Sequence, residues 1–224
     1  MRLRQLYEVV RAECAKADLE PRPKSRWVFT RSMGSDIHSY VFLNPTSKYG
    51  LRISPSVGVR HDLVMDLVSE LAGWSKEDKS LTVVMNIGYL MPRNWYKEYS
   101  FSGPFLTSLG FVGSIFRFGA SNDPAPSDIQ RQARRMIKHV LRYGWPFIMA
   151  NSTLEGVYAT MKSKPQTLDD FRFPVICLLL GKKEEARKYV QQAATRDGDR
   201  CPHPDYDKFA AALVSKLDEG RCDE

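Results

Sequence analysis

The segment from residue 25 to residue 43 constrains the fold most, because it predicts a β-hairpin. Two stretches rich in aromatic and β-branched residues, 25–33 and 37–43, lie on either side of the sequence Met33-Gly34-Ser35-Asp36. Aromatic and β-branched side chains favour strands, whereas glycine, serine and aspartate favour a tight turn. Strands joined by so short a turn pair antiparallel, so the chain is predicted to contain an antiparallel sheet.

Three further segments complete the predicted sheet. Residues 51–59 alternate apolar and polar side chains, and Pro55 among them indicates an edge strand or a bulge, since proline cannot donate a ladder hydrogen bond. The segment 81–89, LTVVMNIGY, has the clearest strand composition, and residues 111–118 form the last predicted strand. Together with the hairpin, these segments predict about five strands.

Helical spacing appears before, within and after this sheet. Apolar residues recur every three or four positions in residues 2–18, 61–71 and 127–143, which is the period of an amphipathic helix. Gly73 is predicted to end the second of these helices, and Gly144-Trp145-Pro146 the third. The second helix is predicted to bury Leu63, Val64, Leu67, Val68 and Leu71.

The C-terminal part of the chain is predicted to be wholly helical. The predicted helices lie at about 152–162, 170–180, 183–195 and 205–218. The fold class expected from this order is α+β, with an antiparallel sheet of about five strands packed with helices. We expect residues 1–150 to form this sheet domain and residues 151–224 a C-terminal helical region packed on it.

Positive charge is concentrated in the first two-thirds of the chain. The net charge is +7 overall, but residues 1–150 hold 21 Lys and Arg against 13 Asp and Glu. Residues 151–224 hold 12 against 13 and are therefore close to neutral. A concentrated positive field attracts anionic partners, which include nucleic acids and acidic protein surfaces.

The predicted helix at 127–143 carries the clearest candidate contact surface. Arg131, Arg135, Lys138 and Arg142 follow spacings of four, three and four and so share one face, with Arg134 beside them. Such a face can bind phosphate or carboxylate groups. It can equally be the solvated side of an ordinary amphipathic helix, and the sequence leaves both interpretations open.

An aromatic segment provides the second candidate. Trp95, Tyr96 and Tyr99 are predicted to lie in a loop and to anchor a partner, since large aromatic side chains are enriched at interfaces. With Arg93 and Lys97 between them, they could also stack nucleic-acid bases. The alternative is a loop that folds back and seals the edge of the core.

Motifs for catalysis or cofactor binding are not found in the sequence. It has no nucleophile elbow, no phosphate-binding loop and no dinucleotide fingerprint. His38, with Asp36 nearby, and His61 are the candidate general bases. Cys201-Pro202-His203 lacks the paired spacing of a zinc site. We therefore expect no enzyme activity, no metal and no cofactor.

The cysteines and the N-terminal segment favour a cytoplasmic location. Four scattered cysteines are typical of reduced thiols, and Cys14 and Cys177 are predicted to lie in the core. Charges interrupt the apolar residues of the N-terminal segment, which is unlike a secretory signal. The longest apolar run, 175–180, is too short to cross a bilayer, so no membrane partner is expected.

Four segments carry a resemblance to a known group of proteins. They are RWVFTRSMGSDIHSYVFLNP, GLRISPSVGV, LTVVMNIGYL and FRFPVICLLLGKKEEARKYVQQA. They resemble a group of small bacterial proteins of unknown function that are similar to immunity proteins of contact-dependent or polymorphic toxin systems. In those proteins an "NLG-like" strand recurs, and Met85-Asn86-Ile87-Gly88 takes its place here. The resemblance implies a non-enzymatic protein that occludes a cognate toxin in a tight one-to-one complex.

Two functions thus follow from the sequence. The first is an immunity protein that contacts its toxin through the basic face and the aromatic loop. Because the chain is basic, the toxin is expected to present an acidic patch or to bind through apolar contacts. The alternative is a nucleic-acid-binding accessory protein that uses the same basic face.

Overall fold

The computed structural model has an antiparallel sheet with helices before and after it, which confirms the predicted α+β class. It describes residues 3–23, 25–34, 36–46, 51–75, 81–92, 98–101, 126–164, 167, 169–194 and 204–219. None of the helices in these ranges is long and apolar enough to cross a membrane.

Six strands form the sheet within the described residues. They are β1 (Glu20–Pro21), β2 (Val28–Ser32), β3 (Ile37–Thr46), β4 (Arg52–His61), β5 (Val83–Asn86) and β6 (Tyr99–Ser100). The first five follow one another across the sheet in chain order, and β6 pairs with β4. In the register of β1 with β2, Glu20 lies opposite Thr30, and in that of β4 with β6, Arg52 lies opposite Ser100.

The helices of the described residues have the following bounds. They are α1 (Leu3–Ala15), α2 (Asp62–Ala72), a 3₁₀ helix (Ile87–Leu90), α3 (Pro126–His139), a π turn (Val140–Gly144), α4 (Trp145–Ala150), α5 (Leu154–Ser163), α6 (Arg172–Leu179), α7 (Lys183–Ala194) and α8 (Tyr206–Asp218). The four predicted C-terminal helices correspond to α5, α6, α7 and α8.

The predicted hairpin is formed by β2 and β3. The Ser39 hydroxyl donates to the carbonyl oxygen of Arg31 at 2.5 Å and accepts from the N–H of the same residue at 3.2 Å. Further along the pair, the Leu43 N–H donates to the Trp27 carbonyl at 2.8 Å. The predicted hairpin is therefore confirmed.

Pro55 lies in an inner strand, although its presence predicted an edge or a bulge. Two short strands, β5 and β6, pair with β4 on the side away from β3. Strand β6 pairs with Arg52 and Ile53 near the start of β4. Near its end, the N–H of Thr82, just before β5, donates to the Val59 carbonyl. Pro55 lies between these two places. Proline is thus accommodated in the inner strand β4 at the point where its pairing partner changes from β6 to β5.

Strand β5 is shorter than the predicted strand at 81–89, because Asn86 ends it. The Asn86 side chain accepts a hydrogen bond from the Gly88 N–H at 2.9 Å and begins the 3₁₀ helix. Asparagine side chains commonly bond backbone N–H groups two residues on and so replace a ladder bond. The predicted strand at 111–118 lies outside the described residues.

Helix α2 is rotated from the predicted orientation. Leu63 was predicted to be buried but is 59% exposed, whereas Met65 is fully buried beside Val64 and Val68. Leu63 and Met65 are both apolar, so the spacing of apolar residues alone could not show which of them faces the core of so short a helix. The predicted stop is confirmed, since Gly73 adopts a left-handed conformation with φ of 72°.

The chain forms two compact units, each assembled from several stretches. The first comprises Met1–Ser32, Ser39–Gly58 and Met85–Ile148, and in it α1 packs on α3. The second comprises Met33–His38, Val59–Val84 and Met149–Glu224. In the second unit, α2 packs on α6 and α8. The prediction of a boundary at residue 150 stays a prediction.

Candidate binding surface on helix α3

The four predicted contact cations all lie on the exposed side of one helical segment. Arg131, Arg135 and Lys138 belong to α3, Arg142 belongs to the π turn that follows, and all four are exposed. The opposite side buries the apolar residues Ile129, Ala133, Met136, Ile137 and Val140. The predicted amphipathic character of the helix is confirmed, and the role of its cations stays a prediction.

The helical segment does not end at Gly144-Trp145-Pro146, contrary to prediction. The Trp145 N–H instead donates to the Val140 carbonyl, five residues earlier, and the chain passes directly into α4. A proline ring clashes with the carbonyl four residues before it in a regular α-helix. A π turn just before Pro146 widens the helix, and the chain thereby continues without a break.

Glycine is needed at position 144 because β4 approaches closely there. A Cβ atom on Gly144 would lie 2.7 Å from Cγ1 of Val57, which is closer than side-chain atoms can pack. The π turn thus lies directly against the sheet of the first unit. The same π turn carries Arg142.

Two cations of this surface have carboxylate partners in the structure. Arg131 donates to Asp128 Oδ1 at 2.5 Å, and Arg134 Nε lies 3.5 Å from Glu13 Oε2. Lys138 and Arg142 have no carboxylate within 4.0 Å in the part of the chain that the structure describes. The guanidinium of Arg142 lies 5.3 Å from the ring centre of its neighbour Tyr143. Lys138 and Arg142 therefore carry positive charge that no described carboxylate pairs with.

Glu13 is a member of this surface that the sequence did not reveal. Its side chain is 5% exposed, and its Oε1 accepts a hydrogen bond from Lys16 Nζ at 2.7 Å. The hydrogen bond from Lys16, together with the charges of Lys16 and Arg134, holds the pKa of Glu13 below its ordinary value of 4.5, although burial acts in the opposite direction. A glutamate between Val10 and Cys14, on the apolar stripe of α1, was the available signal.

Helices α1 and α3 enclose an open groove on the same side of the first unit. Its volume is about 440 Å³. Four cations line it: Lys16, Arg134, Lys138 and Arg142. Glu13 and three apolar residues, Ala17, Ile137 and Leu141, complete the lining. Lys138 and Arg142 thus lie beside a groove that also offers an apolar floor.

Tyr99 was predicted to anchor a partner, but its side chain is only 2% exposed. Its Oη lies 2.5 Å from Nδ1 of His139 on α3, and burial raises its pKa. Phe101 is equally buried. The alternative interpretation, a segment that seals the core, therefore describes these two residues. Trp95 and Tyr96, with Arg93 and Lys97, lie outside the described residues.

The two candidate histidines do not gather around one centre. His38 Nε2 lies 2.8 Å from Asp62 Oδ2, and the other oxygen of Asp62 accepts from Arg60 Nε at 2.7 Å. His61 is buried, and its Nε2 lies 2.8 Å from the carbonyl oxygen of Asn151. Asp62, and not Asp36, is thus the carboxylate beside His38. Each histidine has a structural partner of its own.

The described cysteines are buried thiols. Burial raises the pKa of both Cys14 and Cys177 to about 12, so neither is a ready thiolate at neutral pH. Among the described residues, no group of three or more His, Cys, Asp or Glu side chains could hold a metal ion. Cys201, His203 and Cys222 lie outside these residues.

Comparison with family models, with curated proteins and with solved structures found no match for this chain. The structure itself therefore defines the class: this is an α+β protein that carries a basic groove between α1 and α3.

Proposed function

We propose that this chain is a cytoplasmic, non-enzymatic binding protein of the immunity type. It neutralises a cognate bacterial toxin by covering the toxin's active site in a one-to-one complex. The proposal rests on the sequence resemblance and on one observation, that no described carboxylate pairs with Lys138 and Arg142 at the edge of the groove. An acidic patch on the toxin would supply the missing carboxylates.

Charge of this kind acts mainly on the rate and selectivity of association. Exposed complementary charges steer partners together and disfavour partners of the same sign. Arg131 and Arg134 already have carboxylate partners, so they contribute less to this steering than Lys138 and Arg142. The contact is accordingly centred on the groove side of α3.

The test uses the protein encoded next to this chain as the candidate toxin. Growth of cells that express it, with and without this chain, measures neutralisation, and titration calorimetry of the two purified proteins measures stoichiometry. The variant Lys138→Glu/Arg142→Glu is expected to weaken binding about 10- to 100-fold, which is typical of reversed charges at an interface. Lys188→Glu, an exposed cation on α7 in the second unit, is the matched control.

Two results would contradict the proposal. One is a neighbouring protein that neither binds this chain nor inhibits growth in its absence. The other is binding to many unrelated nucleic-acid sequences that weakens steeply with salt, which is the behaviour of the alternative function.

A further inference from the structure

The groove between α1 and α3 has a regular arrangement of charge that indicates the shape of its ligand. Arg134, Lys138 and Arg142 follow one another at intervals of four residues along one wall. Four residues of α-helix rise about 6 Å, so the first two cations repeat at roughly that distance along α3. Lys16, in the turn directly after α1, also lines the groove.

An acidic helix is the element that repeats the same interval. Asp or Glu residues four positions apart on a helix also recur about every 6 Å on one face. A helix that lies along the groove therefore brings successive carboxylates to successive cations. An amphipathic helix in a groove between two helices is a recurrent mode of recognition.

The apolar floor of the groove favours an acidic helix over a polyphosphate chain as the ligand. Ala17, Ile137 and Leu141 are apolar, and Ala17 and Leu141 remain partly exposed. Covering them stabilises a complex only if the ligand has apolar side chains of its own. A nucleic-acid backbone has none to offer there, whereas an amphipathic helix has an apolar stripe beside its acidic one.

Glu13 sets a limit on the charge that the ligand carries. Its carboxylate already contacts Lys16 and Arg134, so the lining has a net charge of +3 and not +4. A ligand with two or three carboxylates matches this value. A longer acidic tract would place unpaired carboxylates against Glu13.

We infer that the groove binds an acidic amphipathic helix of the partner, with carboxylates paired to Lys138 and Arg142 and apolar side chains on Ala17 and Leu141. This inference rests on the proposed function and specifies which element of the toxin is recognised.

A synthetic peptide tests the inference without knowledge of the toxin. The probe is a fluorescent 20-residue helical peptide with three Glu residues spaced four positions apart and Leu on the adjacent stripe. A peptide of the same composition in scrambled order and a 20-nucleotide single-stranded DNA are the comparisons. Fluorescence anisotropy is expected to show one-to-one binding of the periodic peptide, at least 10-fold tighter than that of the scrambled one.

Two variants assign the binding to the groove. Lys138→Glu is expected to weaken peptide binding at least 10-fold by charge reversal, and Ala17→Glu to do the same by placing a carboxylate on the floor. Lys188→Glu is expected to leave it unchanged. Circular dichroism of each variant verifies folding, and Ala17 and Lys138 lie at solvent-accessible positions where substitution costs little stability.

The outcomes separate this inference from the proposed function. Equal binding of both peptides, or peptide binding insensitive to Ala17→Glu, overturns the groove as a helix site. DNA binding without peptide binding overturns it in favour of nucleic acid. If the neighbouring protein still binds and depends on Lys138 and Arg142, the proposed function stands and only the inference fails. Peptide binding without toxin binding supports the groove as a helix site and contradicts the proposed function.

Discussion

The carboxylate of Glu13 on α1 lies 3.5 Å from the guanidinium of Arg134 on α3, so one buried charge joins the two helices that form the groove. Lys16 completes the arrangement from the other side at 2.7 Å. Both cations are more than half exposed, whereas Glu13 is almost fully buried. Among these three side chains, removal of the Glu13 carboxylate is therefore expected to lower the free energy of unfolding most.

Glu13→Gln is expected to lower the free energy of unfolding at pH 7 by about 1–2 kcal/mol, since it removes charged hydrogen bonds but keeps the shape of the side chain. The pKa of Glu13 in the folded protein lies below its ordinary value of 4.5. The stabilisation by its carboxylate is therefore fully present above pH 4.5 and is lost as the pH falls through the lower pKa of the folded protein. Urea unfolding of both proteins at pH 7 and pH 3 measures the difference, which should shrink at pH 3.

Glu8→Gln provides the matched control for this prediction. Glu8 lies on the same helix and pairs with Arg11 at 3.9 Å, but both side chains are more than half exposed. Exposed pairs of this kind contribute little, so less than about 0.5 kcal/mol should be lost. Equal effects of the two substitutions would show that the burial of Glu13 has no energetic consequence.

Gly144→Ala is expected to destabilise the protein by about 1–3 kcal/mol, because the new methyl group would lie against Val57. Val57→Ala removes the obstructing Cγ1, so the double variant should be more stable than the sum of the two single effects implies. A double-mutant cycle of urea unfolding measures this coupling, which we expect to exceed about 0.5 kcal/mol. Simple additivity would contradict the close approach of the π turn to β4.

Features fixed by local periodicity were predictable from the sequence. The hairpin between β2 and β3, and the helices α5 to α8, follow from the spacing of apolar residues and from turn residues such as Gly181, whose φ is 71°. The 3₁₀ helix after Asn86 was not, since a single side-chain hydrogen bond outweighed a strand-like composition. The π turn was not predicted either, since Gly144-Trp145-Pro146 indicated the end of a helix.

The candidate site was predictable only in part, because some of its contacts join parts of the chain that are distant in sequence. Helical spacing placed Arg131, Arg135, Lys138 and Arg142 on one face. The pairing of Arg134 with Glu13 depends instead on the packing of α1 on α3, a contact between residues more than 100 positions apart. Glu13 was signalled only by its position on the apolar stripe of α1, and the groove has no signature in local sequence.

Cys14 and Cys177 are expected to be unreactive in the folded protein. Burial raises the pKa of both thiols to about 12, and reaction with a disulfide reagent requires the thiolate. In the variant Cys201→Ser/Cys222→Ser, which removes the other two thiols, labelling by Ellman's reagent at pH 8 should proceed only as fast as the protein opens. Complete labelling within seconds in native buffer, as in urea, would contradict the burial of these cysteines.

Tyr99→Phe distinguishes a core residue from a partner anchor. The substitution removes the hydrogen bond to His139 but keeps the buried ring, so we expect a loss of about 1 kcal/mol in the free energy of unfolding. Tyr99→Ala, which also removes the ring, should cost about 3–5 kcal/mol. Because Tyr99 is 2% exposed, Tyr99→Phe should leave the affinity for the toxin, or for the acidic peptide, unchanged. Urea unfolding and anisotropy measured on the same samples separate the two roles. A variant of full stability with weakened binding would return Tyr99 to the contact surface.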